Sequence, residues 1–173
     1  GVLHRNLAIH YINQDELDLS LQSVHKSIEA LHRKYLSSLD SLPNKERLKT
    51  NLFNIQLISS LNVKTKVWLK LAEGNAENNT YYYEQALKTI KLNDWLIDLT
   101  RLSDIDYKSK LYWRKIATNL YSQAVELCYK TNKAEDAFYF FEKNKALQLL
   151  EDINLKTLRA SVKIPQKIVR QEA

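Results

Sequence analysis

The chain has 173 residues, with 26 basic and 20 acidic side chains (net +6), 45% hydrophobic and 27% charged residues. Two glycines and two prolines supply too little turn chemistry for a sandwich or barrel of short strands, and the length suits one domain with a continuous core. No apolar run approaches the ~18 residues of a membrane span, no leader peptide is visible, and one cysteine cannot form an internal disulfide; together these point to a cytoplasmic chain.

The elements follow in order. Leu7, Ala8 and Tyr11 mark a first helix; Leu17, Leu21, Val24, Ile28 and Leu31, with small Ser20 and Ser27 among them, mark a second. Small side chains let two helices cross closely while bulky ones fill the neighbouring holes. The second helix is predicted to continue through Leu36 and Leu39 to about Ser41, where Leu42-Pro43-Asn44 stops it, because the residue before proline leaves helical angles. A long helix is predicted from Lys45 to about Glu73, with Leu48, Leu52, Ile55, Leu61, Trp68, Leu69 and Ala72 toward the core. Gly74-Asn75 is expected to end it through a left-handed glycine. Asn78-Asn79-Thr80 offers caps for the next helix, which carries Tyr83, Ala86, Leu87, Ile90, Trp95, Leu96, Leu99 and Leu102 before Ser103-Asp104 closes it.

The last pair is drawn most sharply. Trp113, Ile116, Ala117, Leu120, Ala124, Leu127 and Cys128 form one apolar stripe. Ala137, Phe138, Phe141, Ala146, Leu149, Leu150 and Ile153 form another, with Thr131-Asn132-Lys133 between them. A link that short forces the helices to fold back antiparallel. The sequence therefore predicts an all-α fold of about six long helices in three hairpins, with a short C-terminal helix after Pro165. The small-residue landmarks Ser20, Ala86 and Ala137 stand 66 and 51 residues apart.

These residues carry a resemblance. Leu7-Ala8-x-x-Tyr11 followed by Ser20, Val24 and Ser27 is similar to a tetratricopeptide (TPR) unit, with His4 where Trp is usual and Val24 in place of an aromatic. The phrase Ala137-Phe138, then Glu142-Lys143-x-Lys145-Ala146-x-x-Leu149-Leu150, resembles the last TPR hairpin before a CHAT domain, a caspase-like cysteine-peptidase domain of bacterial proteins. The resemblance implies a TPR-like α–α superhelix over residues 1–153 and a connector over 154–173. It also implies a peptidase domain outside this sequence.

Chemistry of the chain's own is not indicated. His4 and His10 are six apart, and His25 and His32 seven apart, which on a helix is about 10 Å. No one metal bridges that, and no HExxH or cysteine spacing accompanies them. Cys128 lies on an apolar stripe without a neighbouring histidine, and Gly1 and Gly74 cannot form a phosphate loop. Asp15-Glu16 and Glu151-Asp152 are adjacent carboxylates that diverge on a helix. Tyr81-Tyr82-Tyr83 and Phe138-Tyr139-Phe140-Phe141 cannot all face one core, so some are expected in the interfaces with neighbouring hairpins, the favoured reading, or else in a partner site. No catalytic, cofactor or metal residue is assigned, and the chain is expected not to be an enzyme.

Charge alternates along the chain. From Asn44 to Glu73 six basic residues oppose two acidic, and from Asp106 to Lys133 again six oppose two, while Ala76–Ile105 is net acidic. In TPR-like superhelices the first helix of each pair lines the concave surface. Lys64, Lys66, Lys70, Arg114 and Lys115 are therefore expected to build a basic groove for a protein partner, an acidic peptide or the protein's own downstream domain. The alternative is a basic bundle that binds nucleic acid.

Overall fold

The computed structural model describes residues 1–75, 77–101 and 107–161, with the side chains at 101, 107–115, 150–152 and 154–161 outside that description. Among the described residues seven helices follow one another: α1 (Val2–Asn13), α2 (Leu17–His32), α3 (Lys45–Leu48), α4 (Asn54–Gly74), α5 (Asn79–Arg101), α6 (Tyr107–Lys130) and α7 (Ala134–Ser161). No strand occurs among the described residues. Sequence neighbours pair as α1 with α2, α4 with α5, and α6 with α7, so the six long helices form three successive hairpins. Hairpin one meets hairpin two mainly through α2 on α4, and hairpin two meets hairpin three through α5 on α6. The core runs through all three, including Val24, Ile28, Leu61, Ile90, Leu96, Ala124, Cys128 and Phe140.

The turns of hairpins one and three are the same device. Asp15 (φ 60°) and Asn132 (φ 53°) take the left-handed conformation, which short polar side chains tolerate best after glycine. The Glu16 N–H donates to the Tyr11 carbonyl and the Lys133 N–H to that of Cys128, both at 2.9 Å. Ser20 N–H to Glu16 C=O and Ala137 N–H to Lys133 C=O match as well, both at 3.0 Å. Every residue of one turn has its counterpart 117 positions on, the distance between the small landmarks Ser20 and Ala137.

Several boundaries differ from expectation. α2 stops at His32, because Arg33 turns left-handed (φ 57°) and Leu36 N–H takes the Glu29 carboxylate (2.8 Å) as its acceptor. Residues 33–44 form a strap instead, tightened by hydroxyl bonds such as Ser38 to Asp40 (2.5 Å) and Ser38 with Ser41 (2.7 Å). Such local bonds compete with helix. The long helix from Lys45 is broken into α3 and α4. Asn44 caps α3 through Glu46 N–H (2.8 Å), and Asn54 Nδ2 takes the Leu48 carbonyl (2.8 Å) that a continuing helix would have used. Leu52, expected in the core, lies in this break at 88% exposure, and Ile55 is exposed too.

Gly74 is not a left-handed terminator: it is the last residue of α4, and Asn75 leaves in an extended conformation. α7 runs unbroken across the boundary drawn at 153–154. Its apolar stripe is turned outward in large part, with Phe138, Phe141, Leu149 and Ile153 exposed and Phe140 and Leu147 buried in their place. The helix after Pro165, the Ser103-Asp104 closure and Leu102 lie outside the described residues. The aromatic runs do divide. Tyr82 stacks on Trp68 (5.9 Å) while Tyr83 lies under Lys130, and Phe140 packs on Tyr121 while Phe138 and Phe141 stay exposed.

Candidate functional site

α4 and α6 are the first helices of hairpins two and three, and both rest on α5. Between them runs a channel. Its wider part, a hollow of about 310 Å³, is lined by Asn62 and Lys66 from α4 and by Ile116, Asn119, Leu120, Ser122 and Gln123 from α6. A second hollow of about 160 Å³, which also touches Gln123, lies further along between Leu69 and Glu73 on one wall and Glu126, Leu127 and Lys130 on the other. Residues 62, 66, 69 and 73 are spaced three and four apart, as are 116, 119, 123, 126 and 130, so each wall is one stripe of one helix.

One of the lining amides, Asn62, is held from α5. Asn93 of α5 is fully buried and donates its Nδ2 to Asn62 Oδ1 (2.7 Å) and to the Ile58 carbonyl (3.3 Å). A carboxamide offers two donors and an oxygen acceptor, so Asn62, Asn119 and Gln123 together line the channel with both kinds of group. At the far end Lys130 pairs with Glu126 (2.8 Å) and sits over the Tyr83 ring, and the Glu126 bond raises its pKa. Lys66 makes no ion pair among the described residues.

Of the five cations expected to build a groove, Lys66 alone is seen lining this channel. Lys64 is fully buried on another face of α4, where its Nζ donates to the Ser41 carbonyl of the strap (3.0 Å). Burial pushes its pKa down to about 8, against the pull of the Asp40 and Glu29 charges. His25 beside it is lowered for the same first reason, burial, and then by the Lys64 charge. Lys70 reaches the turn of hairpin one and pairs with Asp15 (3.7 Å). The Arg114 and Lys115 side chains lie outside the described residues. Among described residues the channel walls carry two lysines and two glutamates, so their character is amide and mixed charge, not basic. Periodicity on α4 and α6 held the signal for Asn62, Asn119 and Gln123, but charge counting passed over uncharged side chains.

A second polar cluster joins α5 to hairpin three. Buried Asp94 accepts from Tyr121 Oη (2.7 Å), Tyr139 Oη (2.8 Å) and Lys143 Nζ (2.6 Å), and Lys143 also donates to Asp98 (2.5 Å). Burial opposes the Lys143 charge, but bonds to Asp94, Asp98 and Tyr139 outweigh it and hold the pKa raised. With Asp94 accepting three donors, the arrangement serves as a clamp between hairpins and leaves no free acid or base. Cys128 is buried and its thiol pushed up by burial, the opposite of an activated nucleophile. No group of His, Cys, Asp or Glu among the described residues has the geometry of a metal site, and no described helix is long and apolar enough to cross a membrane. Comparison with protein-family models, curated proteins and solved structures finds no match to the chain.

Proposed function

We propose that the chain is a non-catalytic protein-interaction module, a TPR-like stack whose channel between α4 and α6 holds an extended segment of a partner protein. The observation that carries this is the amide lining. An extended peptide presents an N–H and a C=O at every residue, and Asn62, Asn119 and Gln123 offer matching donors and acceptors without demanding a particular side chain. Lys66 adds a cation for a carboxylate, so the preferred segment is acidic at that end. Ile116, Leu120, Leu69 and Leu127 receive apolar side chains. Nucleic acid fits less well, since Glu73 and Glu126 stand on the walls where phosphates would lie.

On the same reading the parent protein is a bacterial, cytoplasmic TPR–CHAT protein, and this stack binds a partner and positions the peptidase domain. The repeated turn at 14–16 and 131–133 supports it, as does the Ala137-Phe138…Lys145-Ala146…Leu149-Leu150 phrase on α7. The test is a fluorescence-anisotropy titration with labelled glutamate-rich peptides and a single-stranded oligonucleotide of similar length. Lys66→Glu and Asn119→Ala, both at exposed positions, should each weaken peptide binding about tenfold, the equivalent of ~1.4 kcal/mol, while Lys26→Glu on α2 leaves it unchanged. Peptide affinity indifferent to both channel variants, or oligonucleotide binding that falls steeply with salt, would refute the proposal.

A further inference from the structure

The two ends of the stack carry apolar faces that its interior buries. The identical turns put hairpins one and three in register at a separation of 117 residues, so each position in one has an equivalent in the other. On the second helices, Leu21 and Val24 are buried on α2, the helix on which α4 packs. Their equivalents on α7 are Phe138 (67% exposed) and Phe141 (50% exposed). The landmark Ala86 gives the same answer at 51 residues: Leu87 and Ile90 of α5, which supports hairpin three, are buried at the positions of Phe138 and Phe141. On the first helices the relation is reversed. Leu120 and Ala124 of α6 are buried, whereas their equivalents on α1, Leu3 (78% exposed) and Leu7, are not.

So α7 presents the surface that α2 and α5 use to receive the next hairpin, and α1 presents the surface that α6 uses to sit on the previous one. We infer that the chain associates with a second copy of itself head to tail, α1 of one copy seating on α7 of the next and continuing the stacking of the three internal hairpins. Charge agrees with this polarity. α1 contains Arg5 and no carboxylate, while α7 carries exposed Glu135 and Glu142 near the two phenylalanines; Asp136 is held by Lys91 of α5, and Lys145 lies over the Phe141 ring. A symmetric α7-on-α7 contact would instead bring like carboxylates together and leave α1 bare. Lys145 stands where α5 has Asp94, so the acceptor of the internal clamp is not repeated at this junction. The contact is accordingly reversible and weaker than those inside the chain, and because it is heterologous it does not close at two copies. It uses other residues than the channel and does not depend on what the channel binds.

Sedimentation velocity on the whole chain tests this, over roughly 5 to 500 µM to cover weak association. The mass of the wild type should rise with concentration beyond that of a dimer. A head-blocked variant, Leu3→Glu with Leu7→Glu, and a tail-blocked variant, Phe138→Glu with Phe141→Glu, should each stay monomeric alone. Mixed in equal amounts they should form a heterodimer and nothing larger, since one intact head and one intact tail remain. Circular dichroism verifies that each variant keeps its helix; if a double variant unfolds, Leu3→Glu and Phe138→Glu alone, at the two most exposed sites, replace it. A wild type that stays monomeric throughout overturns the inference. So does a head-blocked variant that still dimerises, which marks a symmetric α7 contact, or a mixture that stays monomeric.

Discussion

The two junctions between hairpins are built from opposite chemistry. Where α2 meets α4, the polar contacts are neutral and small: Ser27 Oγ and Ser60 Oγ lie 2.9 Å apart, and Ser27 also reaches the Gly1 carbonyl (2.8 Å). The buried lysine on that side, Lys64, has one carbonyl and, among the described residues, no carboxylate within bonding distance. Where hairpin two meets hairpin three, Lys143 is held by two carboxylates and Asp94 gathers two tyrosines as well. Both lysines are withdrawn from water, yet one amine is pushed down to about 8 and the other is raised. The difference teaches that burial sets the cost of a charge and its bonded partners decide whether that cost is met.

Breaking the second junction should give the largest effect. Asp94→Ala leaves Lys143 with Asp98 and strips two tyrosine hydroxyls of their acceptor; urea unfolding should show a loss of ~3–5 kcal/mol. Lys143→Met should cost less, because Tyr121 and Tyr139 still donate to Asp94. At the first junction the sign should change. Lys64→Met keeps the packed stem and removes a poorly paired charge, so stability should hold or rise by about 1–2 kcal/mol.

The pH dependence sharpens the same contrast. The Lys64 amine has a folded pKa of about 8 against an ordinary 10.5, so between those values the unfolded chain binds a proton that the folded chain does not. Its penalty is therefore complete below pH 8 and is relieved as pH rises through this window. The advantage of Lys64→Met over wild type, measured by urea unfolding, should accordingly shrink from pH 7 to pH 10; an advantage constant with pH would contradict the assignment. In the same variant the His25 ring, followed by NMR titration, should move back up toward its ordinary value, because the second of the two main causes lowering it is gone.

Part of this was legible in the sequence. The three-residue link Thr131-Asn132-Lys133 between strongly periodic stretches dictated the last hairpin, and the small residues at Ser20 and Ala137 marked the same position in two hairpins. What periodicity could not see was the neighbour on each face. Phe138 and Phe141 have the spacing of a core stripe but are exposed, with no further hairpin over them among the described residues, and Leu52 fell in a break set by asparagine side chains. Lys64 reads as a surface residue because lysines usually are, and only the fold brings the strap over it. The Asp94–Lys143 clamp spans 49 residues, beyond any local pattern. In the site, the stripe on α4 was present from the start, but charge drew notice to Lys64 and Lys70, which face away, and not to Asn62.

The smallest effect should come from the two matched turns. Glycine accepts the left-handed conformation without strain, so Asp15→Gly and Asn132→Gly should each change the melting free energy by less than ~1 kcal/mol, toward stability. The exposed Asp15–Lys70 pair lost in the first is worth less than ~1 kcal/mol. Valine at either position should destabilise, and a cost confined to one turn would mean that the two are not equivalent.

We propose that a partner's extended segment lies in the channel between α4 and α6. Backbone-amide NMR during titration with a glutamate-rich peptide tests it most directly. Shifts should concentrate at Asn62, Lys66, Asn119, Ser122 and Gln123 and fade toward α2 and the strap. Shifts gathered on α7 or on the strap instead, with the channel residues unmoved, would contradict it.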